Sequence, residues 1–535
     1  SDAALRAAWQ NDTVTLDTAQ VPEFSERVNG DSTILGAAQR NAVDYELYLC
    51  DSGTDALLEF ANAIKEASND RWIVGVYNGY VTPVYSYEAL GTVHMSIDRI
   101  LASDSVDFIC APYNYLQRQN GMAAGYMTMV DSIHQAGKLF IMECDNRTSL
   151  FDYRNDYGSS LSQTEVAGWG QVYTMTETLD QMKRDFANVI THGAGLWWYG
   201  MIGVWFDDDQ IYSLMRTCNA EMAAAMEEPR QKNDVAWIVD EDMFAYTSFN
   251  FGSSHQWLQR ALPEQLQSLA TMGCGYDMYY MSSLERETAA GWRPGYKVYV
   301  VTGVDFDDNE RQVIKEFLMA GGSTVIFSGP AGIGNRDTNT YSEENMEDIL
   351  GMDITLDESR PYAFAVESSA YGIYGDTSCY YTRPIAYVSG GADEILGSLY
   401  EHPEKAGLAR KKLSDCTIIY SAAGPVPAEL LREAVGSDEI YDSNKSDVVF
   451  SGNGYLGINA AFGGERTLKL GGTYHVYNVF RGTYEGRSVS SITVNLRQGE
   501  TVLYRLEEPE HIYDETFSGF TGGCGLNGWS LNDNR

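Results

Sequence analysis

Gly137-Lys138-Leu139-Phe140-Ile141-Met142-Glu143-Cys144-Asp145-Asn146-Arg147-Thr148 is the stretch on which the reading of the chain turns. Its apolar run, 139–142, is too short for an independent helix and stops at a carboxylate followed by polar residues, as a buried parallel strand does at a functional edge. The carboxyl ends of the strands in a parallel sheet open onto the ligand crevice, which makes Glu143 a candidate for chemistry. The competing reading is a solvated or salt-bridged strand end, and the neighbouring segments have to decide.

Those segments repeat one order. A helix with Leu57, Phe60, Ala61 and Ile64 on one face leads to a strand over 72–76 that ends at Tyr77-Asn78-Gly79-Tyr80. A short helix carrying Ile97, Ile100 and Leu101 leads to a strand over 106–111 that ends at Pro112-Tyr113-Asn114-Tyr115. A helical segment through Met127, Val130 and Ile133 then feeds the strand ending at Glu143. After a polar loop, Thr174-x-x-Glu177 forms a capping box for a helix with Leu179, Met182, Phe186 and Ile190 on its apolar face. The strand over 195–199 finishes on Trp197-Trp198-Tyr199, Trp205 follows, and a last helix begins near Asp209. Residues 1–230 thus hold four strand-and-helix units with aromatic or carboxylate residues at the strand ends: half of an eightfold barrel, or a small open sheet.

From 231 the alternation continues with buried-strand runs at 235–239, 276–280, 297–302 and 324–328 and a helix over 310–320, predicting a doubly wound α/β domain to about 440 that takes in 392–399 and 417–420. Residues 441–508 alternate with period two between Gly-rich turns, as a small antiparallel β domain does, and 509–535 form a Gly- and Asn-rich tail.

At 535 residues the chain is too long for one core. With 37 Lys and Arg against 75 Asp and Glu, its formal charge of -38 disfavours nucleic-acid and anionic-membrane partners. No apolar run reaches the roughly 18 residues of a membrane span. The eight cysteines contain no CxxC pair and the seven histidines no HExxH spacing, so reduced thiols and no catalytic metal or cofactor are expected. Aromatic residues make up 12% of the chain, and flat apolar rings are what sugar-stacking sites need.

The succession ALRAAW, VGVYNGY, DFICAPYNY, GKLFIMECDNRT and THGAGLWWYG resembles the second half of the catalytic barrel of glycoside hydrolase family 42 and its β-galactosidase and β-mannosidase relatives. DVAWIVDE, GYDMYY, YKVYVVTG and GGSTVIFSGPAG resemble the flavodoxin-like trimerisation domain that follows it there. The resemblance implies an α/β fold: the C-terminal half of a (β/α)8 TIM barrel over 1–230, a flavodoxin-like doubly wound α/β domain over 231–440, and an antiparallel β domain over 441–508. It implies a bacterial, cytoplasmic, homotrimeric enzyme of carbohydrate metabolism. It also puts the nucleophile on Glu143 and an acid/base Glu upstream of residue 1, on a preceding segment or a second polypeptide that completes the barrel. Asn309-Glu310, the one Asn-Glu pair that invites that role, opens a helix in another domain and reads as a cap.

Retaining glycosidases need two carboxyls roughly 5 to 5.5 Å apart. Asp145 lies two residues beyond Glu143, roughly 6 to 7 Å along the strand and on the same side, which suits an ion pair with Arg147 or a substrate hydroxyl better than the acid role. Arg147 beside Glu143 would keep that carboxylate ionised. Tyr77, Tyr80, Tyr113, Tyr115, Trp197, Trp198 and Trp205 are the candidate sugar contacts, with packing at a barrel rim as the alternative. The expected function is retaining hydrolysis of β-linked hexosides, most plausibly β-galactosides; the alternative is a catalytically silent carbohydrate-binding or assembly subunit.

Overall fold

In the computed structural model, which describes residues 1–30, 32–82, 94–152, 170–200, 204–226, 231–248, 258 and 261–509, the stretch around Glu143 lies within a four-stranded parallel sheet. The strands β1 (Gly75–Tyr77), β2 (Phe108–Pro112), β3 (Leu139–Cys144) and β4 (Gly195–Trp198) pair in chain order. Helices α1 (Asp2–Trp9), α2 (Arg40–Ser68), α3 (Ile97–Leu101), α4 (Val130–Gln135), α5 (Met175–Thr191) and α6 (Asp209–Ala225) precede and separate them. The capping box is present, with Thr174 accepting from the backbone of Glu177 at 3.2 Å and Glu177 from that of Thr174 at 3.0 Å.

Burial on β3 alternates with the pleat. Phe140, Met142 and Cys144 are fully buried, whereas the opposite face carries Leu139, 39% exposed, the half-buried Ile141 and then Glu143. That second face also shows Tyr77 and Trp197, and it is the least covered part of the sheet.

Two expectations here need correction. The helix expected around 57–64 is α2, which already starts at Arg40, and its buried stripe runs through Val43, Cys50, Thr54, Ala61 and Ser68, leaving Phe60 74% exposed. Residues seven apart share a helix face, and Phe60 and Ile64 fall beside that stripe. The strand predicted over 72–76 is only Gly75–Tyr77, and Trp72 and Ile73 before it are exposed.

Five further parallel strands, β5 (Val235–Val239), β6 (Tyr276–Tyr280), β7 (Val298–Thr302), β8 (Ser323–Ser328) and β9 (Cys416–Ser421), pair in the order β6-β5-β7-β8-β9. Numbered along the chain this is 2-1-3-4-5, the flavodoxin-like order. The sequence reading ran the doubly wound pattern through 392–399; instead, antiparallel strands within 353–412 extend this sheet beyond β9 to eleven strands. Between β8 and β9 the described chain has one helix, Glu343–Leu350, and then hairpins, and a hairpin returns antiparallel. Asn309-Glu310 lies where a cap was expected: Asp307 is the N-cap and Glu310 its reciprocal partner.

Residues 448–507 form a five-stranded antiparallel sheet. It lies on α5, where Thr501 donates to the carbonyl of Asp180 at 2.8 Å and Arg497 pairs with its carboxylate at 2.7 Å. Caught between two sheets, α5 is buried on nearly every side, so its charged residues need internal partners. After Pro509 the expected tail lies outside the described residues.

Candidate active site

Parallel pairing brings the ends of β2, β3 and β4 level, with Pro112 beside Glu143 and Glu143 beside Trp197. Tyr77 sits one step lower, beside Cys110, and its hydroxyl reaches up to donate a hydrogen bond to Oε2 of Glu143. Glu143 is 9% exposed, and the ring of Trp197 lies 6.3 Å from that of Tyr77, tilted by 50°. Burial, and next the bond to Glu143, push the Tyr77 phenol far above its ordinary value, so it stays a proton donor. A carboxylate oriented by a phenol, on the open face of a sheet and beside a half-exposed indole, is equipped to attack an electrophilic carbon of a stacked ring.

Behind Glu143 the chain is locked by charge. Asp145 is buried between two guanidiniums, Arg118 at 2.6 Å and Arg147 at 2.9 Å. Arg118 is stacked between the rings of Tyr113 and Tyr115, 4.2 and 3.9 Å from their centroids. Asn146 accepts from the Tyr113 hydroxyl at 3.0 Å and donates to Asp185, which pairs with Arg184 at 3.0 Å. Three guanidiniums, Arg118, Arg147 and Arg184, are thus set against the two carboxylates of Asp145 and Asp185.

The ten residues singled out in the sequence thus separate into two groups. Glu143, Tyr77 and Trp197 share the open face; Tyr80 is half-buried and stacks on His94 with centroids 4.3 Å apart. Tyr113 and Trp205, 0% and 1% exposed, are corrected from sugar contacts to supports. Trp205 is wedged edge-on against Phe151 at 5.0 Å, and its carbonyl accepts from Thr148. Trp198 is half-buried and packs toward Phe206. Arg147 lies on Asp145, with Tyr115 and Trp205 around its guanidinium, so its effect on Glu143 is indirect. Asp145 is fixed from both sides, by Arg147 and by Arg118.

Sequence reasoning missed Arg118, Asn146 and Asp185. Asn146 showed only as one of the polar residues after Glu143, yet its amide is buried and bonded to Asp185. The signal for Arg118 was its place three residues after Tyr115, in a segment that reads as a loop. Among the described residues no group of three or more His, Cys, Asp or Glu is placed to hold a metal ion, and no helix is long and apolar enough to cross a membrane.

No family model and no curated protein matches the sequence. Solved structures do match the fold. The β-galactosidase from Bacillus circulans sp. alkalophilus superimposes with a TM-score of 0.60 at 14% identity, over 94% of this chain and 74% of that one. The cold-adapted β-galactosidase from Rahnella sp. R3 gives 0.61 at 14% identity, over 95% and 74%. A catalytic mutant of a GH42 β-galactosidase from G. stearothermophilus gives 0.59 at 12% identity, over 95% and 74%. At these identities the likeness shows a shared fold: an α/β architecture of the kind found in the β-galactosidase superfamily of glycoside hydrolase family 42.

Proposed function

We propose that this protein is a retaining glycoside hydrolase acting on β-linked hexosides, β-galactosides foremost, with Glu143 as nucleophile. The observation that carries this reading is the hydrogen bond from Tyr77 to Glu143 on the open face of the sheet, beside Trp197. Glu143 attacks the anomeric carbon as the glycosidic bond to the leaving oxygen breaks; an acid/base Glu protonates that oxygen and later activates water to release the sugar from Glu143. Asp145 is held between two arginines and does not serve as that acid. We assign the acid/base to a Glu on four further strand-and-helix units that close the barrel, supplied by a preceding segment or a second polypeptide. Tyr80 and Tyr115 border the sugar, and the chain assembles as a homotrimer through the flavodoxin-like unit, which light scattering at micromolar concentration tests.

The deciding experiment measures hydrolysis of nitrophenyl β-galactoside by the assembled protein and by its Glu143→Gly variant. Turnover disappears in the variant and returns in part with azide, which takes the place of the lost nucleophile and gives the inverted glycosyl azide. Near-normal turnover by Glu143→Gly would remove the assignment. The engagement of Asp145 with two arginines also favours a second reading, a catalytically silent carbohydrate-binding subunit, for which parent and variant bind galactosides alike and neither assembly turns them over.

A further inference from the structure

At the opposite end of the sheet from Glu143 lies a cavity of about 480 Å³, in the size range of small-molecule sites. The six residues of β3 separate the two ends by roughly 15 to 20 Å. Three parts of the fold meet at the cavity: His134 and Gln135 at the end of α4, Ile190 and Met222 from α5 and α6, and Tyr279 and Trp292 from the flavodoxin-like unit.

Its charged groups are already engaged. Asp131 accepts from the Met278 backbone N–H, Asp277 accepts from the Asn233 amide at 2.8 Å and from the Tyr296 hydroxyl at 2.6 Å, and Lys232 donates to the carbonyls of Pro294 and Gly295 at 2.8 and 2.6 Å. An ionic ligand would find no free counter-charge, and burying it unpaired is costly. What remains open is neutral: Gln135 Oε1 and His134 Nε2 are buried with no hydrogen-bond partner, and burial holds the imidazole uncharged, with its pKa lowered to about 4. Leaving such atoms unsatisfied is costly. A hydroxyl suits both, because it donates to the amide oxygen and either donates to or accepts from the imidazole nitrogen.

The aromatic wall narrows the ligand further. Tyr279 and Trp292 pack on one another, 5.4 Å apart with their planes at 50°, so no ring enters between them and a ligand meets a single aromatic face. A flat heterocycle is held best between two parallel rings, whereas a pyranose needs one indole face for its C–H groups and polar partners for its hydroxyls, as Trp292 and the open atoms of Gln135 and His134 offer. We infer that this cavity is a binding site for a neutral pyranose, separate from the site of Glu143 and independent of the function proposed for that residue.

Calorimetric titration of the full-length Glu143→Gln protein with methyl β-galactoside and methyl β-glucoside tests it, with Trp292→Ala and the near-isosteric Gln135→Leu introduced into the same background. The expected result is saturable binding of at least one glycoside with a component weakened about tenfold or more in both cavity variants, a loss of about 1.4 kcal/mol. Circular dichroism checks that the variants are folded, and Gln135→Leu serves if Trp292→Ala is not. Isotherms that superimpose on the parent's, no saturable binding of either glycoside, or binding of adenosine in place of the sugars would each overturn the inference.

Discussion

The hydroxyl of Tyr77 on β1 is hydrogen-bonded to Oε2 of Glu143 on β3, spanning the intervening strand. Hydrogen bonds to a charged group contribute about 1.5–3 kcal/mol. Tyr77→Phe keeps the ring against Trp197 and removes only the hydroxyl, so kcat/KM for nitrophenyl β-galactoside in the assembled enzyme falls by roughly 10- to 100-fold. Since Tyr77 is 47% exposed, the thermal midpoint moves little. A change in kcat/KM below twofold would show that the phenol does not orient the nucleophile.

Arg118 is buried between two tyrosine rings and paired with Asp145. Removing one member of such a pair strands the other charge and costs about 3–5 kcal/mol. Arg118→Met therefore loosens the turn after β3, read as faster amide exchange over 140–148, with little change in the 448–507 sheet. Asp145→Asn, which leaves two guanidiniums facing each other, has the larger effect. Unchanged exchange in both variants would remove the cluster from the support of Glu143.

His94, stacked on Tyr80, is kept neutral by burial, which lowers its pKa to about 4. An unfolded histidine titrates near 6.5, so between these values the unfolded chain binds more protons than the folded one. The contribution is fully present above about pH 6.5 and is lost as pH falls toward 4, by an amount on the order of 3 kcal/mol. His94→Phe retains the stack, so its stability falls less steeply than the parent's between pH 6.5 and 4. Parallel curves of thermal midpoint against pH would show that His94 titrates as in the unfolded chain.

The strand at Leu139–Cys144 was legible because its apolar run is short and stops at a carboxylate, and the strands of the flavodoxin-like unit because both faces are buried. Phe60 misled because three residues, Leu57, Ala61 and Ile64, set a helix face without saying which side meets the sheet. The antiparallel strands within 353–412 were lost because alternation in an exposed ribbon is interrupted by polar residues. Of the site, the strand ends at Glu143 and Trp197 were legible from where the apolar runs stop, but the pairing of Asp145 with Arg118 joins residues 27 apart and depends on β2 lying beside β3. Burial of Tyr113 and Trp205 is equally a property of neighbours supplied by the fold.

The face that carries Glu143 points to the last prediction. Tyr77, Leu139 and Trp197 on it are 47%, 39% and 37% exposed, and beside β1 Trp72 and Ile73 reach 63% and 77%. In the described residues β1 pairs with β2 alone, and an apolar strip beside an unpaired strand edge is a surface that further strands cover. Four additional strand-and-helix units would close the sheet into a barrel, bury this strip, and bring their own carboxyl to Glu143. In the assembled enzyme amide exchange over 72–77 is then slow, whereas in the 535-residue chain alone it is fast. Ile73→Asp places a charge in that contact, so it abolishes turnover and assembly while leaving the 448–507 sheet as protected as before. If Ile73→Asp turns over nitrophenyl β-galactoside at the parent's rate, the edge of β1 is free in the working enzyme and the barrel is not completed there.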